Sequence, residues 1–169
     1  MPLAPLPGCP ASLPRYALPG TSTPSTSAAG GPLFSGTVDS AVVCSYGAVD
    51  TALSGKSPPP TRVVLRGNDA TTLAASLENA ARTRPNVMCP QIRSADERAL
   101  AVIGVAADGA RVGTVTTTIN MPACDVRVTN GKAVRYAWSP PPSLANRLAG
   151  ANPSAGRSHG PVPNSSPTR

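Results

Sequence analysis

Proline has no backbone N–H and a fixed φ, so long helices and central strands form only where it is absent. The chain has 21 prolines, and they bunch at its ends. Eleven lie in residues 1–60 and seven in residues 140–169, leaving Pro85, Pro90 and Pro122 between them. Residues 61–139 are therefore the stretch in which ladders and helices can run. Residues 38–46 (VDSAVVCSY) extend it toward the N-terminus, because they too are rich in β-formers. A folded body over 36–149 is expected, with a Pro/Gly/Ser-rich arm over 1–35 and a disordered tail over 150–169.

Within that body, residues 41–46 and 61–66 read as strands. Gly67-Asn68 breaks the second, and Asn68 or Asp69 is placed to cap a helix. Ala70, Leu73, Leu77 and Ala80/Ala81 recur at helical spacing as one narrow apolar stripe. Glu78 and Arg82 stand four apart on another face, and Arg84-Pro85 ends the helix. The second half is β. Residues 99–105 and 111–119 flank Asp108-Gly109, and residues 125–129 and 132–138 flank Asn130-Gly131. Both pairs predict hairpin turns with two residues at positive φ. Val134, Tyr136 and Trp138 alternate with charged or small residues, as in a sheet with one wet face. Pro140–142 stops the last strand, and Ser143 heads a short helix carrying Leu144 and Leu148. The expected fold is α+β, a small antiparallel sheet with one main helix on a face. Five aromatic residues make its core small.

Four cysteines, Cys9, Cys44, Cys89 and Cys124, are spaced by 35, 45 and 35 residues. Zinc sites use closely paired ligands and redox motifs use C-x-x-C; neither is present, so no metal is expected. An even count at wide spacing fits two disulfides in an oxidising compartment. Three pairings are open. Cys89 and Cys124 flank the same end of the first hairpin, which favours Cys89–Cys124 and leaves Cys9–Cys44.

Net charge is +7, and residues 61–169 hold 13 basic against 6 acidic residues. Arg82, Arg84, Arg93, Arg98, Arg111, Arg127 and Arg135 are scattered singly, which reads as a solvated surface. Few aromatics are available to stack on bases, so no specific nucleic-acid partner is expected. The excess leans toward an anionic envelope polymer, with another envelope protein as the other partner. No apolar run is long enough to span a membrane. No catalytic residues and no cofactor are expected: His159 sits alone in the tail, and Asp96-Glu97 reads as a solvated loop pair. Gly104, Gly109 and Gly113 lack the strand–turn–helix context of a phosphate loop.

Cys9-Pro10-x-x-Leu13-Pro14, Val43-Cys44-x-Tyr46, Cys89-Pro90 and Cys124-x-x-x-x-Thr129-Asn130-Gly131 occur in that order. The pattern resembles a group of poorly characterised exported or lipoprotein-like domains of actinobacteria, over about residues 9–138. That resemblance implies a secreted compartment and no particular activity. Such proteins begin with a signal peptide, whereas Met1-Pro2-Leu3-Ala4-Pro5 has neither a basic nor an apolar region, so the true start is expected upstream. The expected function is an exported binding or structural domain of the cell envelope. The alternative is a secreted serine-protease inhibitor of the subtilisin-inhibitor kind, in which closely spaced cysteines brace a reactive loop. Here the nearest pair is 35 apart.

Overall fold

The computed structural model describes residues 4–14, 30–56, 58–89, 97–122, 124 and 126–149. Its elements in chain order are β1 (Ser40–Ser45), α1 (Val49–Leu53), β2 (Thr61–Arg66), α2 (Asn68–Glu78), β3 (Arg98–Val105), β4 (Arg111–Ile119), β5 (Arg127–Thr129), β6 (Val134–Tyr136) and α3 (Pro142–Ala149). The six strands form one sheet, in the order β2-β1-β3-β4-β5-β6. Every neighbouring pair is antiparallel. This is a small disulfide-stapled α+β fold with α2 as its main helix. The short α1, which has no periodic stripe to announce it, lies where a loop is expected.

The sheet has no fully wet face at its centre. β1 is buried at five of six positions and β3 at seven of eight, which requires cover on both sides. On one side Ala41, Val43, Leu65, Leu100, Val102 and Val115 pack with Ala70, Leu73 and Leu77 of α2 and Leu144 and Leu148 of α3. Each fully buried leucine contributes roughly 1.5–3 kcal/mol. On the other side Val42, Cys44, Ala101 and Ile103 pack with Leu13 of the N-terminal segment and with Val49 and Ala52 of α1. The segment around Cys9, bonded to Cys44 of β1, helps to cover this second face, while on β6 the expected wet face is interrupted by Arg135, which is buried.

Helix α2 starts from Gly67, whose φ of 54° suits glycine, and no side chain caps it. Asn68 and Asp69 are helical residues, not caps, and Asp69 pairs instead with Arg147 of α3. The helix ends at Glu78, short of Arg84-Pro85. In a longer helix the Glu78 carbonyl would accept from the Arg82 N–H. Here it accepts from Arg135 Nε at 3.1 Å. Ala81 then exchanges two backbone hydrogen bonds with Tyr136, at 3.0 and 2.7 Å, and closes the β6 edge.

Both hairpins form where expected, with a different turn geometry. At the first, Gly109 N–H donates to the Ala106 carbonyl at 2.9 Å, and Gly109 has φ 86°. Asp108 does not have positive φ; its Oδ1 accepts from Ala110 N–H at 2.9 Å. At the second, Gly131 has φ 89° and Asn130 does not share that region. One left-handed glycine with an Asx-type side-chain bond replaces the two-residue primed turn.

Segment 30–35, expected as part of an arm, belongs to the core: Leu33 and Phe34 are buried. Phe34 lies over the cross-strand pair Gly104–Gly113. A Cβ at Gly104 would sit 2.8 Å from Phe34 Cδ1 and 3.0 Å from Val38 Cγ2. Gly104→Ala is therefore expected to cost about 1–3 kcal/mol in urea denaturation, through displacement of the ring.

Under the second face, Tyr46 Oη donates to the Pro10 carbonyl at 2.8 Å, and burial pushes its phenol up to about 12. The neutral form is thus favoured in the folded protein. Its stabilisation is complete below the unfolded value near 10 and is lost as pH rises through about 12. Stability should fall by about 1.4 kcal/mol per pH unit across that window beyond the loss seen for Tyr46→Phe. Parallel pH profiles for the two proteins would contradict this.

Candidate functional site

The four cysteines pair as Cys9–Cys44 and Cys89–Cys124, with Cα separations of 5.7 and 5.8 Å. The first fixes the N-terminal segment on the sheet. The second joins the chain ahead of β3 to the chain leaving β4, next to the exposed large hydrophobic residues of the described chain.

Residues 30–34 run as a strap past the C-terminal end of α2, and the side chains of Arg135, Glu78, Asn130 and Arg82 fix them. Arg135, fully buried, donates through Nη2 to the Gly31 carbonyl at 2.8 Å and to Glu78 Oε2 at 3.1 Å. Glu78 Oε1 accepts from the N–H groups of Leu33 at 2.7 Å and Phe34 at 3.0 Å. Asn130 Nδ2 donates to the carbonyls of Pro32 and Leu33, while its Oδ1 accepts from Lys132 and Ala133 N–H. The Asn130 side chain thus shapes its turn and holds the strap. Arg135 is not a solvated cation, and Glu78 is bound to Arg135 and the strap. Ala137, at φ 54°, shifts the alternation beyond β6 so that Trp138 joins the helix-side core and donates to Ser76 Oγ at 3.1 Å. These contacts are structural.

From this clamp the chain runs out into a loop held at both ends. Ala81 fixes it to β6, and Arg82 Nη1 donates to the Gly30 carbonyl at 2.7 Å. At the far end Cys89 is bonded to Cys124. Between the anchors, residues 82–88 are exposed except for the half-buried Pro85. Pro85 restricts its own φ and the conformation of Arg84. Val87 is 62% exposed and Met88 is 99% exposed, the exposed large hydrophobic residues of the described chain. Arg82 and Arg84 are exposed on the same span.

An apolar pair on a loop anchored in this way presents surface whose ordering cost has already been met in folding. The arrangement suits binding. Among the described residues no three His, Cys, Asp or Glu side chains converge as metal ligands. Glu97, expected in a solvated loop, is buried; Asp96, Arg93 and His159 lie outside the described residues.

Compared with family models, curated proteins and solved structures, the chain matches none.

Of the residues singled out from sequence, the cysteines mark the site and the two hairpin turns frame the fold. Asp108-Gly109 lies against the N-terminal segment, where a Cβ on Gly109 would meet Ala4. Val87 and Met88 escape sequence reading because an isolated apolar pair has no periodicity. Their signal is positional: they follow Pro85-Asn86 and immediately precede a disulfide cysteine.

Proposed function

We propose that this protein is an exported binding module of the cell envelope, that its contact surface is the loop 82–88, and that its partner is an anionic constituent of that envelope. The carrying observation is the exposure of Met88 beside the Cys89–Cys124 staple. Two disulfides support an oxidising compartment. The net charge of +7, with Arg82 and Arg84 on the loop itself, supports an anionic partner. No helix among the described residues is long and apolar enough to cross a membrane. The Cys-Pro, Val-Cys-x-Tyr and Thr-Asn-Gly pattern supports membership of the exported actinobacterial group it resembles.

Binding to isolated bacterial envelopes should weaken steeply between low and physiological salt, because exposed charges are screened over about 8 Å at 0.15 M. Salt-independent retention would reject an anionic partner.

One observation favours a second reading, the serine-protease inhibitor. The expected objection was that the cysteines are too far apart in sequence to brace a reactive loop. In the fold, Cys89–Cys124 braces the chain next to Met88, the most exposed large apolar side chain among the described residues. Titration of subtilisin-type proteases with the oxidised protein tests this reading. Inhibition lost on reduction would support it, and full protease activity at excess protein would dismiss it.

A further inference from the structure

The loop carries two kinds of side chain, and only one kind is explained by a polyanion in water. Arg82 and Arg84 suit phosphate or carboxylate groups. Val87 and Met88 gain nothing from a hydrophilic polymer, which offers no apolar surface in exchange for their hydration. A bilayer surface offers both partners at adjacent depths: charged headgroups for the arginines and the acyl boundary for the apolar pair. The order along the chain fits this division, with cations at 82 and 84, a proline at 85 and apolar residues at 87 and 88. Nothing in the fold buries Met88, which is 99% exposed. The staple at Cys89 and the Ala81–Tyr136 bridge anchor the two ends of a span whose apolar side chains are already exposed, so insertion requires no unfolding.

We infer that loop 82–88 docks on an anionic lipid surface, with Val87 and Met88 entering the headgroup–acyl boundary and Arg82 and Arg84 meeting the headgroups. This rests on the reading of that loop as the contact surface and names the partner.

The test uses the full oxidised chain and co-sedimentation with large vesicles. One set contains phosphatidylglycerol in phosphatidylcholine, the other phosphatidylcholine alone, and soluble polyphosphate serves as the non-lipid anion. Binding is expected only to the anionic vesicles. Val87→Ser with Met88→Ser should lower it about tenfold or more. Arg82→Gln with Arg84→Gln should lower it about fivefold per arginine. Thermal melts confirm that each variant is folded. In Met88→Trp, brominated lipids should quench the new fluorescence beyond any quenching of Trp138 in the parent protein.

Vesicle binding unchanged by the serine pair would overturn the lipid assignment. So would polyphosphate binding that is as tight as vesicle binding and sensitive only to the arginine pair; in that case the loop remains the contact surface for a soluble polyanion. If neither pair alters binding to whole envelopes, the loop reading itself fails.

Discussion

Reduction of both disulfides is expected to lower the melting midpoint by roughly 20 °C or more. Each bond joins cysteines 35 residues apart, and a loop of that size contributes roughly 3–4 kcal/mol by restricting the unfolded chain. Small domains are stable by only about 5–15 kcal/mol, so the two bonds together represent much of the total. For a body of about this size, each kcal/mol moves the midpoint by roughly 4 °C or more. The two staples should also differ in kind. Loss of Cys9–Cys44 releases Leu13 from the second face and uncovers Val42, Ala101 and Ile103. Loss of Cys89–Cys124 frees one end of the exposed loop, so binding should suffer with it. Calorimetry with and without a phosphine reductant measures the total; equal midpoints would show that the staples contribute nothing.

Glu78→Ala is expected to cost about 3–5 kcal/mol in equilibrium urea denaturation. It removes the Glu78 carboxylate from the fully buried Arg135 guanidinium, and breaking a buried pair from one side is the expensive way to break it. The same change removes the acceptor for Leu33 and Phe34 N–H, so the strap loses its hold on the helix end. Glu78 is itself 30% exposed, which places the effect toward the lower end of that range. Adding Arg135→Met should recover part of the loss, because the buried cation whose Glu78 partner was removed is then gone as well. A single Glu78→Ala effect below 1 kcal/mol would show that the clamp is not what fixes the strap.

Much of the sheet was legible from local pattern. The Pro-poor stretch 61–139 holds β2 to β6 and α2, the β-prone runs marked β1 to β6, and the glycines at 109 and 131 located both hairpins. The cysteine pairing followed from hairpin geometry because adjacent antiparallel strands bring their flanks together. What was not legible depends on partners distant in sequence. Arg135 looks like a surface cation until Glu78, 57 residues away, is placed beside it. The end of α2 was misplaced for the same reason, since local propensity cannot show that Arg135 takes the Glu78 carbonyl. Strand alternation puts a wet face on the second hairpin because it does not reveal that Arg135 is buried beside Glu78. The role of Phe34 required knowing that Gly104 and Gly113 are paired across two strands. The proposed contact loop was half legible: its cysteine stood out, while Val87 and Met88 became visible only through their exposure among the described residues.

The central claim is that a rigid, stapled body presents Val87 and Met88 to an envelope partner. Val87→Ser/Met88→Ser isolates it, because side chains as exposed as these, 62% and 99%, can change with little effect on stability, within about 0.5 kcal/mol. The decisive measurement is equilibrium binding of this variant to isolated envelopes, beside the parent protein at the same salt. The account predicts an unchanged melting midpoint and at least a tenfold loss of binding. An unchanged midpoint with full binding would contradict it.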